Sequence, residues 1–311
     1  MAKVSVVIPT HNRPDRLAKA IQSVLDQTER DFELFVVDDG SHDQAAADVV
    51  RASGDPRVSY IRLPVARGPA AARNAGIAKT TAPYVAFLDD DDEWLPEKLA
   101  VQLAALERAD PGVGLTYSAR ITVDRTVGTE VITRFPAAFD RASGLNVITL
   151  SSVLMKRRCL DAVGAFDEEL FGTEDFDLWI RAAERFAFHY LDQPLVRYLI
   201  HDEGISHHER PQMLPNVGDR HARSLERLLT KHRQVLQTNR RRHCRSYLTL
   251  AAKYGRTGDV MNERRALLHS LRLWPLEPRV YWALIRASLN GSLGTAAPPS
   301  ESTEVSGNVR R

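Results

Sequence analysis

The sequence predicts an α/β protein with a doubly wound, mostly parallel sheet flanked by helices, followed by a C-terminal α-helical extension. Two observations lead to this fold class. Short apolar runs alternate with helix-type apolar patterns in the first third of the chain, and the composition becomes basic and helical after Pro215. Strands that alternate with helices form parallel sheets through right-handed crossovers. The 311 residues, 43% hydrophobic and 26% charged, exclude a collagen, a mostly disordered chain and an integral membrane bundle.

Four parallel strands are predicted in the first third of the chain, and the first two have the continuous apolar runs of buried strands. The runs cover residues 4–8, 32–37, 58–63 and 84–88. Helices are predicted between them: one opens at Pro14, one ends near Arg51 and one covers residues 70–79. A further helix is predicted to open at Trp94, Leu95 and Pro96.

Shorter elements are predicted in the middle of the chain, and basic helices follow them. Strand-like runs lie at 115–117, 121–123, 131–133, 188–191 and 195–199, and helical patterns at 160–163 and 174–185. After Pro215, helices are predicted at 247–254, 263–273 and 279–289. Gly, Ser, Thr and Pro dominate from Asn290 onward, so we expect a disordered tail. The predicted units are therefore residues 1–214, 215–290 and 291–311.

Charge is distributed unevenly along the chain. Residues 215–311 contain 18 Lys and Arg against 7 Asp and Glu, a net charge of +11, so the first 214 residues carry −9 of the overall +2. An acidic front favours a cation site there, and a basic back favours an anionic partner. A membrane surface fits such a partner better than a nucleic acid, because no aromatic stacking platform accompanies the basic run at 240–242. The alternative is that the apolar residues of these helices only pack against the front domain.

Cysteine use and the N-terminal residues predict a cytoplasmic location. Cys159 and Cys244 lie far apart and outside any C-x-x-C motif, which favours a reducing compartment. The first apolar run stops after Ile8, too early for a signal peptide. No run approaches the ~20 apolar residues of a membrane-spanning helix. Any membrane contact is therefore expected to be peripheral, at the inner face.

Polar residues follow three of the predicted strands at the point where each strand ends. The clusters are residues 9–13, residues 38–41 and the four consecutive aspartates at 89–92. Ligands of doubly wound sheets bind outside the carboxyl ends of the strands, so these clusters should meet in one crevice. Adjacent carboxylates repel one another unless a cation neutralises them. This favours Mg²⁺ or Mn²⁺, held by one or two carboxylates and by substrate phosphates. The alternative is a solvated turn rich in helix-capping aspartate.

Six segments match one family pattern in order. They are VVIPTHNR at 6–13, FVVDDGS at 35–41, Gly68 with ARN at 72–74, FLDDDDEW at 87–94, VGAFDE at 163–168 and EDFDLWIR at 174–181. With these motifs, in a match that covers about residues 3–205, the chain resembles an inverting glycosyltransferase of family 2 with the GT-A nucleotide-sugar fold. The resemblance implies a nucleotide-sugar half at about residues 1–112 and an acceptor half at about 113–214. It also implies a UDP- or TDP-linked donor, a glycan or lipid-linked acceptor and a role in surface polysaccharide or glycan synthesis.

The resemblance implies roles for residues on the donor side. Asp39 is expected to hydrogen-bond a uracil-type base, Asp91 to ligate Mn²⁺ or Mg²⁺, and Arg73 to lie on the nucleotide side. An ordinary ion pair is an equal alternative for Arg73. The implied nucleotide-sugar-binding residues are Thr10, beside Asp39, together with Asp39, Arg73, Asp89 and Asp90, the last two near the ribose.

The resemblance also implies that Asp175 is the general base. It forms an acidic pair with Glu174 at the start of a predicted helix, although helix N-termini favour acidic residues in any case. A general base takes the proton of an acceptor hydroxyl as its oxygen attacks, and the metal neutralises the departing diphosphate, so the configuration inverts. Asp177 either supports the acceptor side or belongs to a core ion pair. His201 lies either near the diphosphate or metal, or in a surface loop.

Two other function classes stay open. A nucleotidyltransferase also binds nucleotides on a doubly wound sheet, but it needs a basic, glycine-rich loop after the first strand, where this chain has PTHN at 9–12. A catalytically silent binding module, with the helical extension as a docking surface, has no need of both Asp91 and Asp175. The leading hypothesis is therefore a hexosyl-type sugar transferase.

Overall fold

The computed structural model describes residues 2–142, 146–201 and 217–293. Within these ranges one mixed sheet has the strand order β3-β2-β1-β4-β8-β6-β9-β5, with β7 paired to β6. The strands are β1 (Val4–Thr10), β2 (Phe32–Asp38), β3 (Val58–Arg62), β4 (Tyr84–Phe87), β5 (Glu93–Trp94), β6 (Val113–Asp124), β7 (Thr129–Thr133), β8 (Val153–Lys156) and β9 (Ala187–Ile200).

Helices cover the sheet and continue beyond it. The helices of the front part are α1 (Pro14–Leu25), α2 (Ala45–Ser53), α3 (Pro69–Ile77), α4 (Lys98–Arg108), α5 (Arg157–Val163) and α6 (Glu174–Ala182). Those of the C-terminal part are α7 (Val217–Lys231), α8 (Arg233–Leu236), α9 (Arg240–Arg256), α10 (Val260–Leu273) and α11 (Pro278–Leu293). No helix in the described part of the chain is both long and apolar enough to cross a membrane.

The parallel half of the sheet sets the position of the site. Strand β1 pairs in parallel with β2 and β4, and all seven of its residues are buried. Its register with β2 runs from Val4 opposite Phe32 to Thr10 opposite Asp38. The carboxyl ends of these strands, with the polar clusters that follow them, therefore meet at one edge of the sheet.

The second half of the sheet differs from the short strands expected there. The runs at 115–117 and 121–123 belong to one strand, β6, and those at 188–191 and 195–199 belong to β9. Strand β9 stays paired with β6 because the register shifts around Ser118 and Ala119 accommodate Pro194. A proline can be tolerated at such an irregularity, since its missing N–H then breaks no regular ladder.

Two predicted boundaries also differ. Trp94 does not open a helix but pairs with Val196 in the sheet, and α4 begins only at Lys98. The indole N–H of Trp94 donates to the carbonyl of Ser151 at 2.8 Å, which holds the ring in the core. Helix α11 continues to Leu293, past the start expected for a disordered tail. The remaining predicted tail and the boundary at Pro215 lie outside the described residues.

The C-terminal helices share an apolar core with α6. This core contains Phe176 and Ile180 from α6 and buried leucines of the later helices, among them Leu228, Leu250 and Leu267. Two further apolar clusters lie on the two faces of the sheet. The helix that carries the acidic pair is therefore packed between the sheet and the extension.

Candidate active site

A cleft of about 1220 Å³ lies at the carboxyl edge of the parallel strands. Residues from all three strand-end clusters line it, including His11, Asp39 and Asp91. The acidic pair Glu174 and Asp175 lines the same cleft. The structure thus brings together segments that lie up to about half the chain apart in sequence.

The loop after β2 forms one end of the cleft. Both oxygens of Asp39 accept backbone N–H groups, from Arg67 at 2.8 Å and from Gly68 at 2.7 Å. Gly40 makes this approach feasible, since its φ is +66° and a Cβ there would lie 2.7 Å from the backbone of Val65 and Ala66. Asp39 therefore fixes the loop that starts α3.

Thr10 bonds Asp39 through its backbone and a different aspartate through its side chain. Its carbonyl accepts the backbone N–H of Asp39 at 2.8 Å, while its hydroxyl donates to Asp90 across 2.7 Å. Asp90 is buried, and burial together with the charge of Asp91 raises its pKa to about 7. The first and third polar clusters are thus joined by a direct side-chain contact.

Asp91 is the aspartate of the turn that keeps its negative charge most readily. Its Oδ2 lies 3.0 Å from Nη1 of Arg13 and 3.0 Å from Nε2 of His201. Burial raises the pKa of Asp91, but the hydrogen bond with His201 and the charge of Arg13 outweigh it, and the pKa is lowered. Arg13 ends the first polar cluster, and that position was the only sequence signal for its role.

Asp92 differs from its neighbours because it is a structural residue. Its side chain accepts the hydroxyl of Ser151 at 2.6 Å and the backbone N–H of Leu199 at 3.2 Å. It is 1% exposed, and burial raises its pKa well above the usual value for aspartate. Asp92 therefore ties the aspartate turn to β9 and to the segment before β8.

The pair of Asp91 and His201 suits a divalent cation in its donor chemistry. A carboxylate and an imidazole supply two ligands, and a substrate diphosphate can supply others. In the described part of the chain, no group of three or more His, Cys, Asp or Glu side chains is placed to hold a metal. The residues present thus fit a site that draws some of its ligands from the substrate.

Arg73 connects the two acidic sites. Its guanidinium lies 2.6 Å from Asp89 and 2.8 Å from Glu174, and it is buried. Burial lowers its pKa, but the charges of the two carboxylates and their hydrogen bonds together raise it above the usual value. Arg73 lines the cleft as expected, and it is also the ion-paired residue of the alternative interpretation.

Asp175 lines the cleft near the start of α6. Its Oδ2 accepts the side-chain amide of Asn146 at 2.6 Å, and its Oδ1 accepts the backbone N–H of Phe176 at 2.7 Å. Burial and the charge of Glu174 raise its pKa to about 7, and the hydrogen bond from Asn146 opposes that rise. A carboxyl group with this pKa can accept a proton near neutral pH.

Asp177 does not support the cleft directly, contrary to the first of its two expected roles. It is fully buried and lies 2.7 Å from His232, 2.8 Å from Lys231 and 2.8 Å from Arg181. Arg181 lies one helical turn further along α6, and because Lys231 and His232 belong to the extension, Asp177 faces the extension rather than the cleft. It belongs to an ion-pair network that joins α6 to the end of α7.

Helix α7 also holds the loop that precedes α6. The hydroxyl of Ser224 accepts the backbone N–H of Phe171 at 2.8 Å and lies 2.6 Å from the hydroxyl of Thr173. Arg220 stacks over the ring of Phe171 at 4.4 Å, and both residues line the cleft. The extension therefore contributes to the site, although no sequence motif indicated this.

A family model described as Glycosyl transferase family 2 matches residues 5–160, half of the chain. The chain belongs to glycosyl transferase family 2. It is 32% identical over 209 residues to the amylovoran biosynthesis glycosyltransferase AmsB of Erwinia amylovora, which is 62% of this chain and 68% of AmsB. It is 42% identical over 105 residues to an uncharacterized glycosyltransferase of Rickettsia conorii. That match covers 34% of this chain but only 17% of the Rickettsia protein, so the chain spans about a sixth of that relative.

Solved structures share the fold of this glycosyl transferase family 2 member. Staphylococcus aureus TarS 1–349 superposes with a TM-score of 0.55 at 18% identity, over 85% of this chain and 90% of that one. The mannosyltransferase PcManGT of Pyrobaculum calidifontis, in complex with GDP-Man and Mn²⁺, gives 0.59 at 18% identity, over 94% of this chain and 80% of that one. The predicted fold class is confirmed.

Proposed function

We propose that the protein is an inverting glycosyltransferase that moves a hexosyl-type sugar from a nucleotide-diphosphate sugar to an acceptor hydroxyl. One observation carries the proposal. A carboxyl group with a pKa of about 7, that of Asp175, lines the same cleft as Asp91, whose carboxylate faces His201. A base for the acceptor and a cation site for the leaving diphosphate are the two requirements of metal-assisted inverting transfer.

The donor end of the cleft is assigned to the nucleotide. Asp39, Thr10, Asp89 and Asp90 line it, and we assign them to the base and ribose of a UDP- or TDP-linked sugar. A complex of TarS with UDP-GlcNAc is known, whereas PcManGT was solved with GDP-Man. The panel of donors tested should therefore include UDP-, TDP- and GDP-linked sugars.

A divalent ion, Mn²⁺ or Mg²⁺, is assigned to Asp91 with His201 as its second protein ligand. Such an ion, when bound, supplies positive charge that stabilises the diphosphate as it leaves. The presence of Mn²⁺ in the PcManGT complex supports the choice of ion. Arg13, 3.0 Å from Asp91, adds a fixed positive charge on the same side.

The acceptor end of the cleft performs the proton transfer. Asn146 and the N–H of Phe176 orient the carboxylate of Asp175 towards the acceptor hydroxyl. As the hydroxyl oxygen forms its bond to the anomeric carbon, Asp175 takes its proton, and the bond from that carbon to the phosphate oxygen breaks. Arg73 holds the donor and acceptor sides of the cleft together through its ion pairs with Asp89 and Glu174.

The process assigned to this activity is surface polysaccharide or glycan synthesis, with a glycan or lipid-linked acceptor. The name of AmsB, an amylovoran biosynthesis glycosyltransferase, supports it. Both cysteines are free and buried, which is in keeping with the proposed cytoplasmic location.

A peripheral contact with the inner membrane face is assigned to the end of the helical extension. Leu276, Tyr281, Trp282 and Ile285 are between 47% and 79% exposed there. The nearest acids, Glu263 and Glu277, are buried beside arginines, so the exposed charges of α10 and α11 are positive. Exposed aromatic residues among arginines fit an anionic bilayer surface.

Vesicle co-sedimentation tests the membrane contact. Truncation after residue 215 is unsuitable, because it would uncover Phe176 and Ile180. Tyr281→Ser with Trp282→Ser should instead lose salt-sensitive binding to phosphatidylglycerol vesicles, and Val127→Ser, 68% exposed in the turn between β6 and β7, should keep it. No binding of the parent at low salt, or equal binding of the parent to phosphatidylcholine vesicles, would contradict the assignment.

Turnover with a panel of UDP-, TDP- and GDP-sugars and Mn²⁺ tests the function itself. Transfer or slow donor hydrolysis is expected for the parent. Asp175→Asn should turn over roughly 10²–10⁴-fold more slowly than the parent, with donor affinity nearly unchanged, because the amide cannot accept the proton. Pyrophosphate release from a nucleoside triphosphate would instead indicate a nucleotidyltransferase, and donor binding without turnover a silent module.

A further inference from the structure

Arg120 lies on the β6 wall of the cleft with its guanidinium held in a defined direction. The group stacks over the ring of Tyr198 at 4.0 Å. Its Nε donates to the hydroxyl of Thr122 at 3.2 Å, and its Nη1 donates to the hydroxyl of Thr149. Aromatic rings and neutral hydroxyls orient a guanidinium, but they do not neutralise its charge.

The other arginines of the cleft wall are neutralised or solvated. Arg13, Arg67, Arg73 and Arg134 each form an ion pair with a carboxylate, and Arg220 is exposed. Arg120 is partly buried and has no carboxylate within 4.0 Å in residues 2–142, 146–201 and 217–293. Burial lowers the pKa of Arg120, and the charges of Tyr198 and Asp92 offset this only in part, whereas the carboxylates in contact with Arg73 raise the pKa of that residue.

Two of the three anchors of Arg120, Thr149 and Tyr198, belong to segments that hold the aspartate turn. Thr149 lies two residues before Ser151, whose hydroxyl bonds both the carboxyl of Asp92 and the backbone N–H of Asp89. Tyr198 lies next to Leu199, whose N–H also donates to Asp92. Arg120 therefore stands on the same side of the cleft as the proposed metal site.

We propose that Arg120 binds an anionic group of the sugar donor, either a phosphate oxygen of the diphosphate or a carboxylate on the sugar. This inference rests on the proposed function, because it needs a donor in this cleft. Asp92 acts on Arg120 only from a distance, and a partly desolvated cation with no carboxylate in contact among the described residues gains when an anion pairs with it directly. The planar fork of a guanidinium matches the two oxygens of a phosphate or a carboxylate.

Calorimetric titration with Mn²⁺ present distinguishes the two sources of the anion. The ligands are pyrophosphate, UDP, UDP-glucose and UDP-glucuronate, and the proteins are the parent, Arg120→Gln and Arg134→Gln. The control removes the same charge from the same cleft, but from a residue already paired with Asp192. Ligand-free thermal unfolding establishes that each variant is folded.

A loss of affinity specific to Arg120→Gln supports the inference. If the anion is the diphosphate, this variant binds pyrophosphate and UDP at least ~10-fold more weakly, the effect of a lost charge-assisted bond. If it is a sugar carboxylate, the variant keeps its UDP affinity but loses the preference of the parent for UDP-glucuronate over UDP-glucose. Arg134→Gln should change each affinity by less than about threefold, as expected for an exposed pair.

Equal behaviour of the two variants with all four ligands would overturn the inference while leaving the proposed function intact. A parent protein that binds none of them would contradict the proposed function itself. Should Arg120→Gln fail to fold, Arg120→Lys keeps the charge and loses the fork. This variant is expected to show a smaller loss for the same ligand, and parent-like affinity for all ligands would again overturn the inference.

Discussion

Replacing Asn146 with alanine is expected to move the pH dependence of turnover to higher pH. The side-chain amide donates to Oδ2 of Asp175 across 2.6 Å and so stabilises the ionised carboxylate. Burial and the charge of Glu174 raise the pKa of Asp175 to about 7, and this hydrogen bond works against them. Without the amide, the carboxyl group holds its proton more strongly, and its pKa rises further.

The size of the shift follows from the energy of one hydrogen bond to a charged group. Such a bond contributes about 1.5 kcal/mol, and because Asn146 is exposed we take roughly half of that. The remainder corresponds to about half a pKa unit. A general base works when it is ionised, so turnover is present above its pKa and is lost as the pH falls through it. At about pH 6 the ionised fraction falls about threefold, and at about pH 9 it hardly changes.

The assay is kcat at saturating donor across the pH range, with donor affinity measured separately at each pH. Asn74→Ala is the matched control, since that amide bonds Phe166 and Glu168 and is not part of the cleft wall. Its acid limb should coincide with that of the parent. An acid limb of Asn146→Ala that stays in place, or moves to lower pH, would refute Asp175 as the titrating base.

Two further substitutions separate donor binding from folding. Asp91→Asn should weaken Mn²⁺-dependent binding of UDP, measured by calorimetry, at least ~10-fold. An affinity equal to that of the parent would contradict the metal assignment. The control is Asp26→Asn, which removes an exposed charge at the end of α1. Asp177→Asn should lower the free energy of unfolding in urea by about 2 kcal/mol, because the buried His232 loses its carboxylate partner, whereas Lys231 keeps its ion pair with Asp167. Burial raises the pKa of Asp177, but the hydrogen bonds from His232 and Lys231 outweigh it and lower the pKa. The parent therefore loses this contribution as the pH falls below about 4, whereas the variant has none to lose, and equal stability at neutral pH would argue against the network.

The strands of the first third were predictable because each one is visible in its own residues as a short apolar run bounded by polar or turn residues. Strand β1 is buried at every position, so its sequence is a continuous apolar run that ends at the polar cluster. Strand β9 was not predictable in the same way. Pro194 resembles a strand terminator locally, and only pairing with β6 across a register shift keeps the chain extended.

In the candidate site too, some residues were predictable from the sequence and others were not. Asp39, Asp91 and Asp175 were predicted as site residues from their motifs, and all three line one cleft. The role of Asp177 was not predictable, because its partners Lys231 and His232 lie in a segment without a motif. Arg120 was missed for a related reason, since an isolated arginine in a strand carries no local signal.

The sequence by itself determined the order of strands and helices from β1 to β4 and the placement of polar clusters at the strand ends. Hydrophobic periodicity and turn residues act over a few neighbouring positions, so that information is local. Only the tertiary structure decided which charges are neutralised. Arg73 meets Asp89 and Glu174, and the described partners of Arg120 are hydroxyls and aromatic rings. These partners come from distant segments, and the pairing of the sheet and the packing of α6 bring them together.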